Sequence, residues 1–142
     1  IVRLNRVVQN LHVEHEPGYF RSFDEAEICA FVLNAIQDSG VTFLLAVDNG
    51  KVLGYAMIRV NERAGNAYVR PRKFLELEQL AVAPESRGQG VGAALVDESL
   101  AMAKSLNGLS VELSVWQFNE NARRLFHRKG FEPCLERMRI RV

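Results

Sequence analysis

Val82-Ala83-Pro84-Glu85-Ser86-Arg87-Gly88-Gln89-Gly90-Val91-Gly92-Ala93-Ala94-Leu95-Val96 is the stretch on which the reading of this chain turns. An apolar run ends at Val82, a proline opens a turn, and glycines alternate at 88, 90 and 92 where a helix begins. Glycine lets the backbone turn tightly and lets a ligand approach it. The first turn of a helix carries unpaired N–H groups and the positive end of the dipole. Together they form a seat for a phosphate or another anion. The turn lacks the Lys-Ser/Thr pair of a triphosphate-binding loop. It also lacks the early strand–helix–strand position and the later acidic residue of a dinucleotide site. Arg87 adds a cation that suits a pyrophosphate. The alternative, a purely structural turn, leaves the entropic cost of three glycines without a purpose.

Working outward, Phe74 to Val82 reads as the central strand and Gly90 to Leu106 as the helix leaving the turn, closed by Asn107-Gly108. Upstream, Val41–Val47 and Val52–Val60 are strands joined by the hairpin signal Asp48-Asn49-Gly50-Lys51. Gly54 inside the second marks a bulge or close packing. Ser22, with Glu25 three residues on, reads as a capping box opening a helix. Its apolar stripe is Ile28, Phe31, Val32, Ala35 and Ile36, and Ser39-Gly40 ends it. Before it, Ile1–Leu4 reads as a short strand and Arg6–His15 as a weakly patterned helix stopped by Pro17-Gly18. His12 and His15 share a face of that helix, without the further ligands a metal site requires. Tyr19 and Phe20 follow in a loop. Downstream, Leu109, Val111, Leu113 and Val115 alternate on one face of a strand. Asn119 caps a helix over 120–129, Gly130 ends it, and Leu135–Val142 supplies a final strand. The order predicts a mixed α/β sheet, mostly antiparallel, with helices on both faces.

With 142 residues, 48% of them apolar and 25% charged, the chain is sized and composed for one domain, taken here as 1–142. A net charge of +1 gives no reason to expect nucleic acid or an anionic membrane as partner. No apolar run approaches the roughly 18 residues that cross a bilayer. Cys29 and Cys134 have no metal-ligand spacing, and a reducing, cytoplasmic setting is the simplest expectation. The chain opens on Ile1 rather than Met and without a signal-peptide layout, which implies that residues precede it.

Arg87-Gly88-Gln89-Gly90-Val91-Gly92-Ala93, after Leu80-Ala81-Val82-Ala83-Pro84-Glu85, closely resembles the acyl-CoA signature of the GCN5-related N-acetyltransferase (GNAT) family. Asn119-x-x-Ala122-x-x-Leu125-Phe126-x-x-x-Gly130-Phe131 resembles that family's second signature, and the likeness spans nearly the whole chain. It implies the GNAT fold, with a central sheet whose middle strands splay apart to admit pantetheine. Leu80, Ala81 and Val82 would pair with the pantetheine arm. The N–H groups from Arg87 through Gly88, Gln89, Gly90, Val91 and Gly92 to Ala93 would hold the pyrophosphate. Asn119, Ala122 and Phe126 would lie along acetyl-CoA. An amine would arrive from the opposite side, shaped by the Tyr19-Phe20 loop and by 61–73. Trp116, Gln117 and Phe118 are placed to line that pocket or an interface.

Acetyl transfer to an amine needs a polarised carbonyl and a group to take the amine proton. The N–H of Leu80 or Ala81 could polarise the carbonyl. Glu76 and Glu78 recur at a two-residue interval on an otherwise apolar strand, with Leu80 and Val82 expected to continue their face. Two glutamates there call for a cavity, or else for ion pairing or water. Glu78 is favoured as the base, with Glu76 the alternative. Phe126 departs from the family pattern, in which a tyrosine protonates the leaving thiolate; phenylalanine has no hydroxyl. The expectation is an acetyl-CoA-dependent N-acetyltransferase for a primary amine. Two alternatives stand beside it: a protein or peptide N-acetyltransferase, and a CoA-binding regulatory protein with little turnover. A homodimer is plausible by the same resemblance.

Overall fold

The computed structural model describes residues 1–140. Two helices, α1 (Val2–His15) and α2 (Glu25–Gln37), precede three antiparallel strands, β1 (Val41–Asp48), β2 (Lys51–Arg63) and β3 (Arg72–Val82). A short 3₁₀ turn over Pro84–Ser86 leads to α3 (Val91–Ser105), β4 (Ser110–Glu112) and α4 (Glu120–Arg128). The sheet order is β1-β2-β3-β4, with β4 parallel to β3. This mixed, mostly antiparallel sheet is the expected class.

The strand faces separate two cores. Ala56, Ile58, Leu75 and Leu77 meet Leu95, Val96, Ala103 and Phe126 from α3 and α4. On the other side Tyr55, Met57 and Ala81 meet Ala35 of α2, with Ile1, Leu4 and Val8 packed against them. Helices therefore cover both faces, as expected. Leu109, Val111, Leu113 and Val115 all pack against the α3–α4 core, but the strand expected over Leu109–Val115 forms only at Ser110–Glu112.

Four local expectations are corrected. Ile1–Leu4 is not a strand: α1 begins at Val2, because Ile1, Leu4 and Val8 recur at helical spacing and their burial against the sheet fixes the period. Ser22 does not cap α2. Asp24 does, its Oδ1 accepting from the Glu27 N–H at 2.9 Å, since the same spacing of cap and glutamate recurs two residues later. The buried stripe of α2 is Val32 and Ala35, while Phe31 (44%) and Ile36 (57%) stay exposed on flanks the single packed face cannot cover. No strand forms over 135–140, and Arg141 and Val142 lie outside the described residues. β4 pairs over only three residues, too short an edge to hold an eight-residue strand.

Two glycine expectations resolve cleanly. Asn49 (φ 47°) and Gly50 (φ 77°) form the left-handed pair of a tight hairpin. A Cβ on Gly54 would sit 2.8 Å from the Ala81 carbonyl oxygen and 3.1 Å from Val91, so α3 and β3 close on β2 there. A register shift also falls opposite this glycine, at Ala46/Val47.

Candidate active site

The second register shift matters more. Met57 faces Gln79 and Ile58 faces Leu77, so Glu78 is an extra residue of β3 with no partner on β2. A bulge of this kind reverses the alternation. Leu75 and Leu77 point to the α3 core and so does Leu80, one residue out of phase. Leu80 and Val82 therefore do not continue the face of Glu76 and Glu78. The two glutamates do share a face, the one towards α1 and α2. Glu76 accepts from Asn61 Nδ2 at 2.9 Å and Glu78 from Arg59 Nε at 2.7 Å, both donors being on β2. The Glu78 side chain is 26% exposed, yet the residue as a whole is exposed, so its main chain at the bulge faces outward.

That main chain opens onto a gap. β3 pairs with β4 only at Phe74–Ser110, Leu75–Val111 and Glu76–Glu112. Beyond Glu76, β3 continues to Val82 while the chain after Glu112 leaves the sheet for α4. The two parallel strands thus splay immediately at the bulge, and the backbone of 77–82 is unpaired on that side among the described residues. Leu80, Ala81 and Val82 lie along this edge.

At the end of β3 the glycine turn forms the second half of the site. Ala83 N–H bonds Leu53 carbonyl at 2.8 Å and Ser86 is buried, which anchors the turn to β2. Gly88 (φ 74°) and Gly90 (φ 83°) are left-handed, and no atom lies within 4 Å of a Cβ built on either. Gly90 is the N-cap of α3, and the first helical bond is Ala94 N–H to Gly90 carbonyl at 2.9 Å. The amides up to Ala93 precede it, so the first turn presents N–H groups without helical acceptors. That turn contains no acidic residue to compensate the dipole. Arg87 is exposed, but its own amide bonds the Pro84 carbonyl at 3.3 Å, so it is spent within the turn. Gln89 Nε2 donates to the Glu85 carbonyl, and Glu85 is held by Lys51 at 2.9 Å. Lys51 also keeps the Glu85 carboxyl below its ordinary range, and the pair cancels a charge that would oppose an anion. Gly92 differs from its neighbours. Its Cβ would point inward, 3.3 Å from Leu125 and 3.5 Å from Val82. Gln89, Val91 and Ala93 fill the remaining positions of the turn. The open space above two left-handed glycines and an uncompensated helix terminus fit a pyrophosphate group.

The second signature sits beside the gap. Asn119 Oδ1 accepts from Ala122 N–H at 3.3 Å, capping α4 as expected. Ala122 packs against the α3–α4 core. Phe126 is 8% exposed, buried in that core with Phe131 edge-on at 5.7 Å. Its place is packing, and it brings no proton donor.

Two groupings were not legible in the sequence. Arg59 bridges Glu78 and Asp38, both at 2.7 Å. The Asp38 carboxyl is lowered, first by the Gly40 N–H and then by Arg59, while Glu78 and Asp38 together raise the Arg59 guanidinium. Nearby, the fully buried Tyr55 donates to Gln79 Oε1 at 2.7 Å, and Asn5 Nδ2 donates to the Tyr55 hydroxyl at 3.2 Å. Burial pushes the Tyr55 phenol up. The signal was Gln79, a polar residue on the buried face of an apolar strand; nothing local to Asn5 announces it. A separate concavity of about 460 Å³, lined by 65–71, lies at the other ends of β2 and β3 and belongs to neither half of the site.

A sheet splayed beside a helix-terminal anion seat is the frame of an acyltransferase whose donor carries a pyrophosphate. Residues 5–131 match the Acetyltransferase (GNAT) family, and the chain belongs to that family. Members of this family transfer acetyl groups from acetyl-CoA, and that is this chain's class of activity. An uncharacterized N-acetyltransferase of Mycobacterium tuberculosis is 32% identical over 118 residues, 82% of this chain and 69% of the relative. A mycothiol acetyltransferase of Salinispora tropica is 38% identical over 91 residues, 63% of this chain and 28% of that protein. Among solved structures, a tetramutant protein from Bacillus halodurans superposes with a TM-score of 0.88 at 26% identity, covering 100% of this chain and 92% of that one. An aminoglycoside N-acetyltransferase crystallised with CoA has a TM-score of 0.66 at 19% identity, covering 94% of each chain, which speaks to the fold. Among the described residues no helix is long and apolar enough to cross a membrane, and no cluster of His, Cys, Asp and Glu could hold a metal.

Proposed function

We propose that the protein transfers the acetyl group of acetyl-CoA to a primary amine of a small molecule by direct attack of the amine on the thioester. The observation that carries the proposal is the splay of β3 from β4 at Glu76, continuous with the seat at Gly88–Ala93. Acetyl-CoA supplies the activated acyl carbon. The backbone of Leu80–Val82 would pair with its pantetheine arm, and the outward main chain at Glu78 and beyond would donate to the thioester oxygen. Glu78 would take the amine proton, directly or through water, with Arg59 setting its orientation. Glu76, bonded to Asn61, is the alternative. The proton then passes to the departing thiolate through solvent, since Phe126 carries none.

Thermal stabilisation by acetyl-CoA and CoA but not ATP tests the donor half, and absence of both shifts refutes it. Thiol release across an amine panel tests the transfer. Glu78→Gln should lower kcat by roughly 10²-fold or more with CoA affinity intact, the scale of general-base catalysis. Two observations favour a second reading, CoA binding without turnover: Glu78 is already ion-paired and Phe126 has no hydroxyl. Tight CoA binding with no thiol release from any acceptor, peptide amines included, would decide for it.

A further inference from the structure

The aromatic side chains are not evenly spread. Tyr19 and Phe20 from the α1–α2 loop, Trp116 and Phe118 from the segment after β4, and His12 and His15 from α1 form one continuous cluster. It holds the chain's only tryptophan and two of its three histidines. Tyr19, Phe20 and Trp116 lie mutually edge-on at 5.0 to 5.4 Å, and Trp116 stacks on Phe118 at 5.8 Å. His12 meets Phe20 and Phe118, and His15 stacks on Phe118 at 4.5 Å. Each histidine Nδ1 faces a carbonyl four residues back, at 2.7 and 2.9 Å, so Nδ1 carries the hydrogen and donates it. The cluster is not sealed, because Tyr19 is 59% exposed.

Its place relative to the gap follows from α1. Asn5, near one end, contacts Tyr55 on β2 and Gln79 on β3. His12, seven residues on, contacts Phe118 beyond β4. The helix therefore crosses the gap, and its rise puts the bulge side and the aromatic wall about 10 Å apart. The bulge side is anionic: Asp38 and Glu78 share the guanidinium of Arg59, and Glu76 beside them is held only by the neutral amide of Asn61. On the bulge side Asn5, 8% exposed, has its Oδ1 buried without a hydrogen-bond partner among the described residues.

We propose that the acceptor is an arylalkylamine, a primary amine joined by a short saturated linker to a flat aromatic body. This rests on the acetyltransferase reading above. The ring stacks on the Tyr19–Trp116–Phe118 wall while the ammonium turns to the carboxylates of the bulge, so charge and apolar surface are matched at opposite ends. The length fits: two methylenes carry an amine roughly 5 Å from its ring, and aromatic centroids pair at roughly 4.5–7 Å, which together span about 10 Å. A polyamine, cationic at both ends, would leave one charge against the rings.

The full chain is assayed for thiol release with acetyl-CoA and a graded series from benzylamine to 4-phenylbutylamine, beside n-alkylamines of equal linker length and spermidine. The expected result is a maximum in kcat/KM at two or three methylenes, about tenfold above the matching alkylamine, the upper range for one ring pair. In Trp116→Leu that aryl-to-alkyl ratio collapses towards one. Tyr19→Ala, at an exposed ring, lowers it severalfold and avoids any folding defect. Turnover with no length optimum, or a preference for spermidine or alkylamines, overturns the acceptor class and leaves the acetyltransferase reading standing. Failure of CoA and acetyl-CoA to bind overturns both.

Discussion

The three alternating glycines can be separated by experiment, because the structure gives them different reasons to exist. In Gly90→Ala the new methyl meets nothing within 4 Å, so the whole effect is conformational. Gly90 holds φ 83°, and a left-handed L-residue costs about 1–2 kcal/mol. For a chain of this size that lowers Tm by roughly 3–8 °C. If the loop instead relaxes to negative φ, the amides before α3 turn away from the seat and CoA affinity falls. Gly88→Ala, at φ 74°, should behave alike. Gly92→Ala is the control. Its methyl enters the core against Leu125 and Val82, both met at flexible side-chain ends, and alanine inside a helix gains up to about 1 kcal/mol over glycine. Gly92→Ala should therefore keep its stability and its CoA affinity. Thermal denaturation with and without CoA, and calorimetric CoA titration, give both readouts. Equal damage from Gly92→Ala and Gly90→Ala, or a harmless Gly90→Ala, would refute this division of labour.

Gly54→Ala drives a methyl to 2.8 Å from the Ala81 carbonyl with Val91 and Leu95 behind it, and should cost about 1–3 kcal/mol in urea denaturation. Asp38 has its carboxyl lowered in the fold, so the stability it lends is present above its ordinary value of 3.8 and lost as pH falls through the lower folded value. Asp38→Asn should accordingly lower the urea midpoint near neutrality and converge with the wild type as pH falls below about 3.8, giving a flatter acid limb. Arg59→Met removes the partner of both Asp38 and Glu78; stability should drop by no more than about 1 kcal/mol, since the pair is partly exposed, while kcat falls and CoA affinity holds. Full kcat in that variant would remove Arg59 as the group that positions Glu78.

What could be read in advance was local. The Asn49-Gly50 hairpin, the glycine turn and the Asn119 cap are each specified within four residues, and each formed where expected. The start of α1 was missed because Ile1–Leu4 is too short to show a period, and only packing on Tyr55 and Met57 decides it. The bulge at Glu78 has no marker in the sequence. It arises from strand register against β2, so the prediction that Leu80 and Val82 follow the glutamates failed there. The aromatic cluster lay between these cases: Tyr19, Phe20, Trp116 and Phe118 stood out individually, but nothing in their spacing joins residues a hundred positions apart.

The bulge also separates two kinds of change at one position. Replacing Glu78 removes one of the two carboxylates on Arg59 but leaves the strand register alone, since position 78 has no backbone partner on β2. Deleting that residue would remove the bulge, and Leu77, Gln79 and Leu80 would then alternate regularly against Ile58, Met57 and Ala56 on the faces they already hold. The frame on either side is thus set by the pairing of its neighbours, and the group proposed as the base sits on the one residue that this pairing leaves out.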